Sequence, residues 1–450
     1  MKLKVGKFVN WEEYQDYVVI TNLLEGNIVK IKGSFNEEIK RLLSTGIYDG
    51  VDLKVIDVLN ENNILIDNDV DEDELLDDKY YEATYGNSEL NLVIYPTVAC
   101  NLRCKYCWEN HESQFMPTEV RDSILKYLKR EARYYKRVYI SWFGGEPLLD
   151  KDFLLDFMQE IKNICRMEKT PLVSNITTNG YNLDINTFTS LVRANLLYYQ
   201  ITLDGTEDIH NFYRPHVDSR CNSYKTIMNN LNDIRRSNLK YFHISIRVNI
   251  SRELLANLDD FLKVLKENFG NDKRFSIIWH PIEDWGGMDN AGKDIVTNDV
   301  WGIIEDLNKK SYELLLRPFI HKPKFEDVLC CACKNNAYII NVDGSVAKCT
   351  LCNDIAKENK TLQHNTNIIG YLEPSGKLML NKYKKAKWTV RAQIDEQCKS
   401  CSMLPICLKA TCPHVKKFSE NNLEKCEISK DNYRLTLREL IDEAKEIELW

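Results

Sequence analysis

Thr97-Val98-Ala99-Cys100-Asn101-Leu102-Arg103-Cys104-Lys105-Tyr106-Cys107-Trp108 sets three cysteines in a C-x3-C-x2-C spacing just after an apolar, strand-like run at 90–95. Cysteine thiolates hold iron–sulfur clusters, and a loop that gives a cubane only three of them leaves the fourth iron open to a small molecule. Zinc is the competing occupant. A structural zinc site takes four protein ligands, usually as two C-x2-C half-sites, and no second pair stands beside this triplet. The spacing therefore favours the cluster.

Outward from that loop, apolar strands alternate with amphipathic helices. The pattern predicts strands at 90–95, 138–143, 172–177, 199–203, 243–249 and 275–279, with helical periodicity at 118–135, 151–166, 186–194, 223–237 and 253–267. Strands joined through helices pair in parallel by crossovers, so the expected fold is α/β, an open, partial (β/α)6 barrel. Parallel α/β folds place ligands at the carboxyl ends of their strands, where Cys100, Cys104 and Cys107 follow the first strand.

The second strand runs into Trp142-Phe143-Gly144-Gly145-Glu146-Pro147. A glycine pair lets backbone approach a ligand closely, and the following acid can accept from an ammonium group. By itself this is a weak turn motif. Some 40 residues after the cysteine triplet, with Tyr106 before its last cysteine, it resembles the segment of radical S-adenosylmethionine (SAM) enzymes that holds the methionine amino group. Similar family features recur at Thr177-Thr178-Asn179-Gly180 and at Thr202-Leu203-Asp204-Gly205 through Arg214. The resemblance implies SAM contacts from Tyr106, Gly144, Gly145, Glu146, Thr177, Asn179, Thr202 and Arg214. The family often has Ser where Thr202 stands, which retains a hydroxyl for the SAM carboxylate, with Arg214 as the opposing charge. Arg247 and Asn249, on the fifth strand, face the barrel mouth in the expected register.

The carboxyl-terminal third carries a second cysteine system: Cys330-x2-Cys333, Asp343-Gly344-x4-Cys349, then Cys398-x2-Cys401-x5-Cys407-x4-Cys412 and Cys426. It resembles the SPASM extension of radical SAM peptide and protein maturases, with four residues between Cys407 and Cys412 where three are commoner. The resemblance implies two auxiliary clusters, hence three [4Fe-4S] clusters in all. Cys398, Cys401, Cys407 and Cys426 hold the distal one, while Cys412 joins Cys349, Cys330 and Cys333 at the proximal one, whose iron is open if only three of these bind. Zinc ribbons are the alternative for this region. Cys165, Cys221, Cys331 and Cys352 have no motif role; the first two read as small apolar residues. Trp108, Trp142 and Trp279 read as core or barrel-rim packing.

Composition suits an intracellular, multidomain enzyme. The chain has 450 residues, 44 % of them hydrophobic, with 60 Lys+Arg against 67 Asp+Glu for a net charge of −7. There is no basic tract to engage nucleic acid, no apolar signal region and no membrane-length apolar window, so a cytoplasmic location is expected. Fifteen cysteines then read as metal ligands rather than disulfides. Residues 1–88 form an amino-terminal domain of short strands followed by a helix near 36–43, an order similar to the winged-helix modules that bind peptide leaders. The acidic run at 67–82 reads as a solvated face or linker, since Glu72 and Asp78 stand where a calcium loop needs Gly and Glu. The expected division continues with the radical SAM core at 89–285, a connector at 286–328, the SPASM region at 329–430 and a helix at 431–450.

The resemblance implies an enzyme that cleaves SAM at the first cluster to a 5′-deoxyadenosyl radical, abstracts hydrogen from a ribosomally made precursor peptide and forms a thioether from a cysteine sulfur to carbon. It also implies a reductant such as flavodoxin or ferredoxin, with the auxiliary clusters as outlet for the substrate's electron. Carbon–carbon cross-linking and oxidation of Cys or Ser to formylglycine in a sulfatase are the enzymatic alternatives, and a zinc-binding peptide scaffold the non-enzymatic one.

Overall fold

The computed structural model describes residues 2–14, 16–32, 36–109, 111–282, 300–318, 324–325, 329–351, 367–390, 396–407, 412–413, 433, 437 and 445–447. Two compact units divide the chain: Met1–Gly86 with Ile320–Asn335 and Thr389–Trp450, and Asn87–Phe319 with Asn336–Trp388.

In the first unit, β1 (Leu3–Val5) precedes an antiparallel meander of β2 (Val9–Tyr14), β3 (Tyr17–Asn22) and β4 (Asn27–Lys32). β-Branched residues supply its buried face, Val18, Ile20, Val29 and Ile31. Onto them α1 (Asn36–Thr45) and α2 (Leu53–Glu61) pack Ile39, Leu42, Val55 and Leu59. β5 (Leu65–Asp67) pairs with β1, and the acidic run continues into α3 (Glu72–Tyr85). From Glu72 the run is a helix with Asp73, Glu74, Asp77, Asp78 and Glu82 exposed, a solvated face rather than a linker. Asp71 caps it by accepting from the Asp73 and Glu74 amides, and acids in a first turn oppose the helix dipole favourably. Where a carboxyl-terminal helix is expected, Lys445–Ile447 is a strand parallel to β4. The open edge of β4 offers unpaired backbone groups that such a segment satisfies.

The second unit is built on six parallel strands: β6 (Glu89–Ile94), β7 (Arg137–Trp142), β8 (Leu172–Thr178), β9 (Tyr198–Thr202), β10 (His243–Ile250) and β11 (Phe275–Pro281). They pair in sequence order, β6 with β7 through β10 with β11, as expected of the open barrel. The helices between them are α4 (Thr118–Glu131), α5 (Lys151–Met167), α6 (Ile185–Arg193), α7 (Glu207–Tyr213), α8 (Ser223–Arg236), α9 (Arg252–Ala256) and α10 (Leu258–Phe269). The single helix expected over 253–267 is two, parted at Asn257, and α7 falls in a stretch not read as helical.

Period-two alternation sorts each strand. Leu90, Leu92, Ile94, Val138, Ile140, Trp142, Ile176 and Ile201 are buried on one face. The alternate positions are polar: Ser141, Asn175, Thr177, Gln200, Thr202, Arg247 and Asn249. Asn175 donates to Ser141 at 2.9 Å across β7 and β8, so this polar face is partly knitted together. After α11 (Val300–Glu313), the sheet continues past β6. β12 (Ala337–Ile340) pairs parallel to β6, followed by antiparallel β13 (Ser345–Ala347), β14 (Ile368–Leu372) and β15 (Leu378–Leu380).

Candidate active site at the cysteine loop

The loop carrying Cys100, Cys104 and Cys107 is held by backbone. Arg103 N–H donates to Pro215 O at 2.8 Å, Lys105 N–H to Tyr213 O at 2.9 Å and Val217 N–H to Asn101 O at 2.9 Å, lacing it onto the segment after α7. On the other side lies the glycine pair. Gly144 has φ +116, and a Cβ there would sit 2.4 Å from Thr97 O; a Cβ on Gly145 would sit 2.2 Å from Ala99 O. The close approach that demands glycine is thus to the cysteine loop itself.

Glu146 stands behind this wall, fully buried. One carboxylate oxygen accepts from the Leu148 amide at 2.9 Å and the Thr178 hydroxyl at 2.6 Å, the other from the Asn179 amide at 2.7 Å. The acid ties the ends of β7 and β8 together.

Beneath the loop, Tyr106 donates its hydroxyl to Asp204 and accepts from Arg214 Nη1 at 2.6 Å and Asn249 Nδ2 at 3.0 Å. Asp204 also accepts from the Asn249 amide at 2.8 Å and lies 3.9 Å from Arg214. All of Asp204, Arg214 and Asn249 are buried. Burial pushes the Asp204 carboxyl up against the opposing pull of Arg214, Tyr106 and Asn249. Arg214 stays cationic despite burial, because Cys104, Tyr106 and Asp204 surround it.

Cys100, Cys104 and Cys107 line a cavity of about 200 Å3 together with Tyr106, Gly144, Gly145, Thr177, Asn179, Thr202, Arg214, Arg247 and Asn249. Glu146 does not reach it. Burial, reinforced by the Cys104 and Glu146 charges, pushes the Cys100 thiol up to about 12 and raises Cys104 and Cys107 as well, so these are thiols until a metal displaces their protons. Asn179 Nδ2 bridges toward Asn101 Oδ1 at 2.8 Å and Cys100 Sγ at 3.9 Å. Among the described residues no three His, Cys, Asp or Glu side chains converge on one ion. A cubane spreads its thiolates more widely, since each sits on a different iron. Three half-buried thiols around a polar cavity therefore suit a three-thiolate cubane with a small molecule beside it.

Glu109, His111, Phe143, Gln200 and Ile282 also line the cavity and were not singled out in the sequence. Gln200 is legible by its spacing two before Thr202, and Glu109 by its spacing two after Cys107. Nothing local marks Ile282. His111 Nε2 lies 3.2 Å from Cys107 Sγ, and burial lowers that imidazole to about 4. Trp142 and Trp279 are buried, and Trp108 packs against the cluster of Tyr95, Val98, Ile339, Val342 and Ala347.

Of the later cysteines, Cys330 lies in hydrogen-bonding contact with Cys412 and Cys331, and Cys333 with Tyr80 in an apolar core of the first unit. Cys401 packs against Met403, Ile406 and Tyr433. Short turns join Cys398 to Cys401 and Leu404 to Cys407. Cys349 follows the β12–β13 hairpin of the second unit. Cys165 is buried in α5, Cys221 is half-buried and Cys331 is exposed. Cys352 and Cys426 lie outside the described residues.

Comparison with known proteins agrees with this geometry. A family model, "Radical SAM superfamily", matches residues 94–265. The chain is 24% identical over 384 residues to the cysteine-type anaerobic sulfatase-maturating enzyme of Clostridium novyi (strain NT), covering 75% of this chain and 96% of that protein. It is 30% identical over 198 residues to the GTP 3',8-cyclase of Limosilactobacillus fermentum, covering 42% and 55% of the two. The solved structure of native anSMEcpe with bound AdoMet and Cp18Cys peptide shares the fold at TM-score 0.59 and 18% identity, covering 79% of this chain and 98% of that one. Residues 94–265 are a radical SAM domain, and the chain that carries it is an enzyme.

Proposed function

We propose that this enzyme matures a ribosomally made peptide, forming a thioether between a cysteine sulfur and a carbon of the same chain. The observation that carries the reading is the cavity in which Cys100, Cys104 and Cys107 meet Gly144, Gly145, Thr177, Asn179, Thr202 and Arg214. Cys100, Cys104 and Cys107 would hold a [4Fe-4S] cluster that, when reduced and with SAM bound, would supply the radical chemistry for removing a substrate hydrogen. The protein's own part is positioning. Tyr106, Asp204 and Arg214 fix the loop, while Thr202, Arg247 and Asn249 present polar groups toward whatever enters.

A peptide as substrate is supported by the sulfatase-maturating relative and by the fold shared with anSMEcpe, whose structure holds a peptide. Residues 1–86, with their own sheet and helices, lie outside the radical SAM match and are a candidate leader-binding module. In this reading Cys398, Cys401, Cys407 and Cys426 hold a distal auxiliary cluster, and Cys330 and Cys412 belong to a proximal one, a grouping that the contact between these two supports. A flavodoxin or ferredoxin supplies the reducing electron, in the cytoplasm.

The second reading, oxidation of Cys or Ser to formylglycine, is favoured by the 96% coverage of the sulfatase-maturating relative. Incubating the anaerobically reconstituted enzyme with SAM, dithionite and the short peptides encoded beside its gene separates the two by mass spectrometry. A product lacking two hydrogens, with its sulfur retained, no free thiol to alkylate and no aldehyde, supports the thioether. An aldehyde trapped by a hydrazide, formed with loss of sulfur from Cys or of two hydrogens from Ser, supports formylglycine, and no change in any peptide overturns the peptide reading.

A further inference from the structure

Glu109 lines the cysteine-bearing cavity and is 7% exposed, yet neither carboxylate oxygen has a hydrogen-bond partner among the described residues. The other buried acids of this region are satisfied. Glu146 accepts from three donors, and Asp204 from Tyr106 and Asn249. Buried polar groups are nearly always hydrogen-bonded, so an orphan facing a cavity points to a donor brought by the cavity's occupant. His111 is not that donor, since its Nε2 is turned to Cys107 Sγ at 3.2 Å.

The surroundings narrow the chemistry. Trp108, Phe143, Pro281 and Ile282 add apolar surface to a cavity whose lining is otherwise largely polar. Apolar surface in the same cavity as an unpaired acceptor suits a flat, partly apolar group that carries hydroxyl or amine donors. SAM contains such a group. Once its amino and carboxylate groups are taken up at the open iron, its remaining donors are the ribose hydroxyls and the adenine amine. We propose that Glu109 binds the nucleoside half of SAM, its carboxylate accepting hydrogen bonds from the ribose or the adenine. This rests on the reading of the cavity as the SAM site.

The test uses anaerobically reconstituted, unreduced protein, in which SAM is bound but not cleaved, with iron content measured first. SAM and S-methylmethionine, a sulfonium without the nucleoside, are titrated by calorimetry into wild type, Glu109→Ala and Glu109→Gln. At wild-type iron content, Glu109→Ala is expected to bind SAM ten- to a hundredfold more weakly, on the order of one lost charge-assisted hydrogen bond. Glu109→Gln, which keeps a carbonyl acceptor, is expected to recover part of the loss, and S-methylmethionine to bind all three alike. Unchanged SAM affinity in Glu109→Ala overturns the proposal, as does an equal loss for both ligands. Should Glu109→Ala take up no iron, Glu109→Gln decides by the same criteria. Failure of the wild type itself to bind SAM would instead overturn the reading on which the proposal rests.

Discussion

The two cysteine systems are supported differently. Cys100, Cys104 and Cys107 lie on a loop laced to its neighbours by backbone hydrogen bonds, backed by the glycine pair and seated on the buried Tyr106–Asp204–Arg214–Asn249 network. Cys330, Cys398, Cys401 and Cys407 lie on or beside short turns, and Cys330 and Cys412 touch each other. A loop already fixed by protein can hold a cluster with one iron left open. Under the proposed reading, the later turns would take part of their order from the metals they hold, as small metal-dependent domains do. The difference between the two systems is then that the first loop is fixed by protein contacts before any cluster binds.

The sharpest way to break this contrast is to empty the first site. Changing Cys100, Cys104 and Cys107 together to Ala should abolish 5′-deoxyadenosine formation while about eight irons per chain remain, as two auxiliary cubanes require. Chromatography of the nucleoside product and elemental analysis measure both. Persistent deoxyadenosine would remove the loop from the chemistry, and mainly zinc in place of the remaining iron would return the carboxyl-terminal cysteines to zinc ribbons.

Emptying the second site should act differently. With Cys401 and Cys407 changed to Ala, SAM cleavage is expected to continue while peptide modification stops, because the substrate's electron has lost its outlet. Thermal unfolding of the same preparation sharpens the comparison. Intact folding with full peptide modification defeats the outlet role, whereas early melting of the variant makes the metal structural.

Support beneath the first loop can be removed without touching a cysteine. Arg214→Ala leaves Asp204 buried without its counter-charge and should destabilise the barrel by about 3–5 kcal/mol. Tyr106→Phe removes a hydroxyl bonded to Asp204, Arg214 and Asn249 and should cost about 1.5–3 kcal/mol, the range for bonds to charged groups. If denaturant unfolding finds the two equal, the ion pair contributes nothing beyond the tyrosine.

Glu146→Ala distinguishes wall from ligand contact. Since its oxygens accept from Leu148, Thr178 and Asn179, the expected loss is about 1.5–3 kcal/mol of stability for a charge-assisted bond, with any fall in SAM affinity following from a displaced wall. A stable variant that binds SAM ten- to a hundredfold more weakly would instead put the carboxylate on the methionine ammonium.

The smallest effect belongs to a helix cap remote from either site. Partial burial of Asp184 works against its charge. Hydrogen bonds from the Thr187 amide and hydroxyl and from Lys151 nevertheless hold the carboxyl at about 2. A depressed value of this kind stabilises above the unfolded pKa of about 3.9, and the contribution is lost as pH falls toward 2. Because the side chain is 45% exposed, solvent screening keeps the benefit to about 1 kcal/mol or less. Asp184→Ala should therefore lower the melting temperature slightly at pH 7 and not at pH 2.

Much of this molecule was legible before folding. The six strands emerge close to their expected bounds because apolar alternation is a local signal, and the C-x3-C-x2-C loop is legible because ligand spacing is local too. Arg247 and Asn249 line the cavity as the register of the fifth strand implied. The break at Asn257 and helix α7 escaped, since a cap and a seven-residue helix leave little periodicity.

By itself, then, the sequence marked the cysteines spaced to ligate a cluster and determined that six strands pair in parallel, since thiol spacing and strand alternation are written over a few consecutive positions. Only tertiary structure decided what those residues face. It turned the glycine pair toward the cysteine loop, set Glu146 behind the wall, joined Tyr106 to Asp204 and Arg214, left Glu109 without a hydrogen-bond partner among the described residues and added β12 to the edge of β6. Each of these is an encounter between segments from about 30 to 250 residues apart, or the lack of one. Which polar groups meet is settled when buried donors and acceptors must find partners, and local pattern does not encode that accounting.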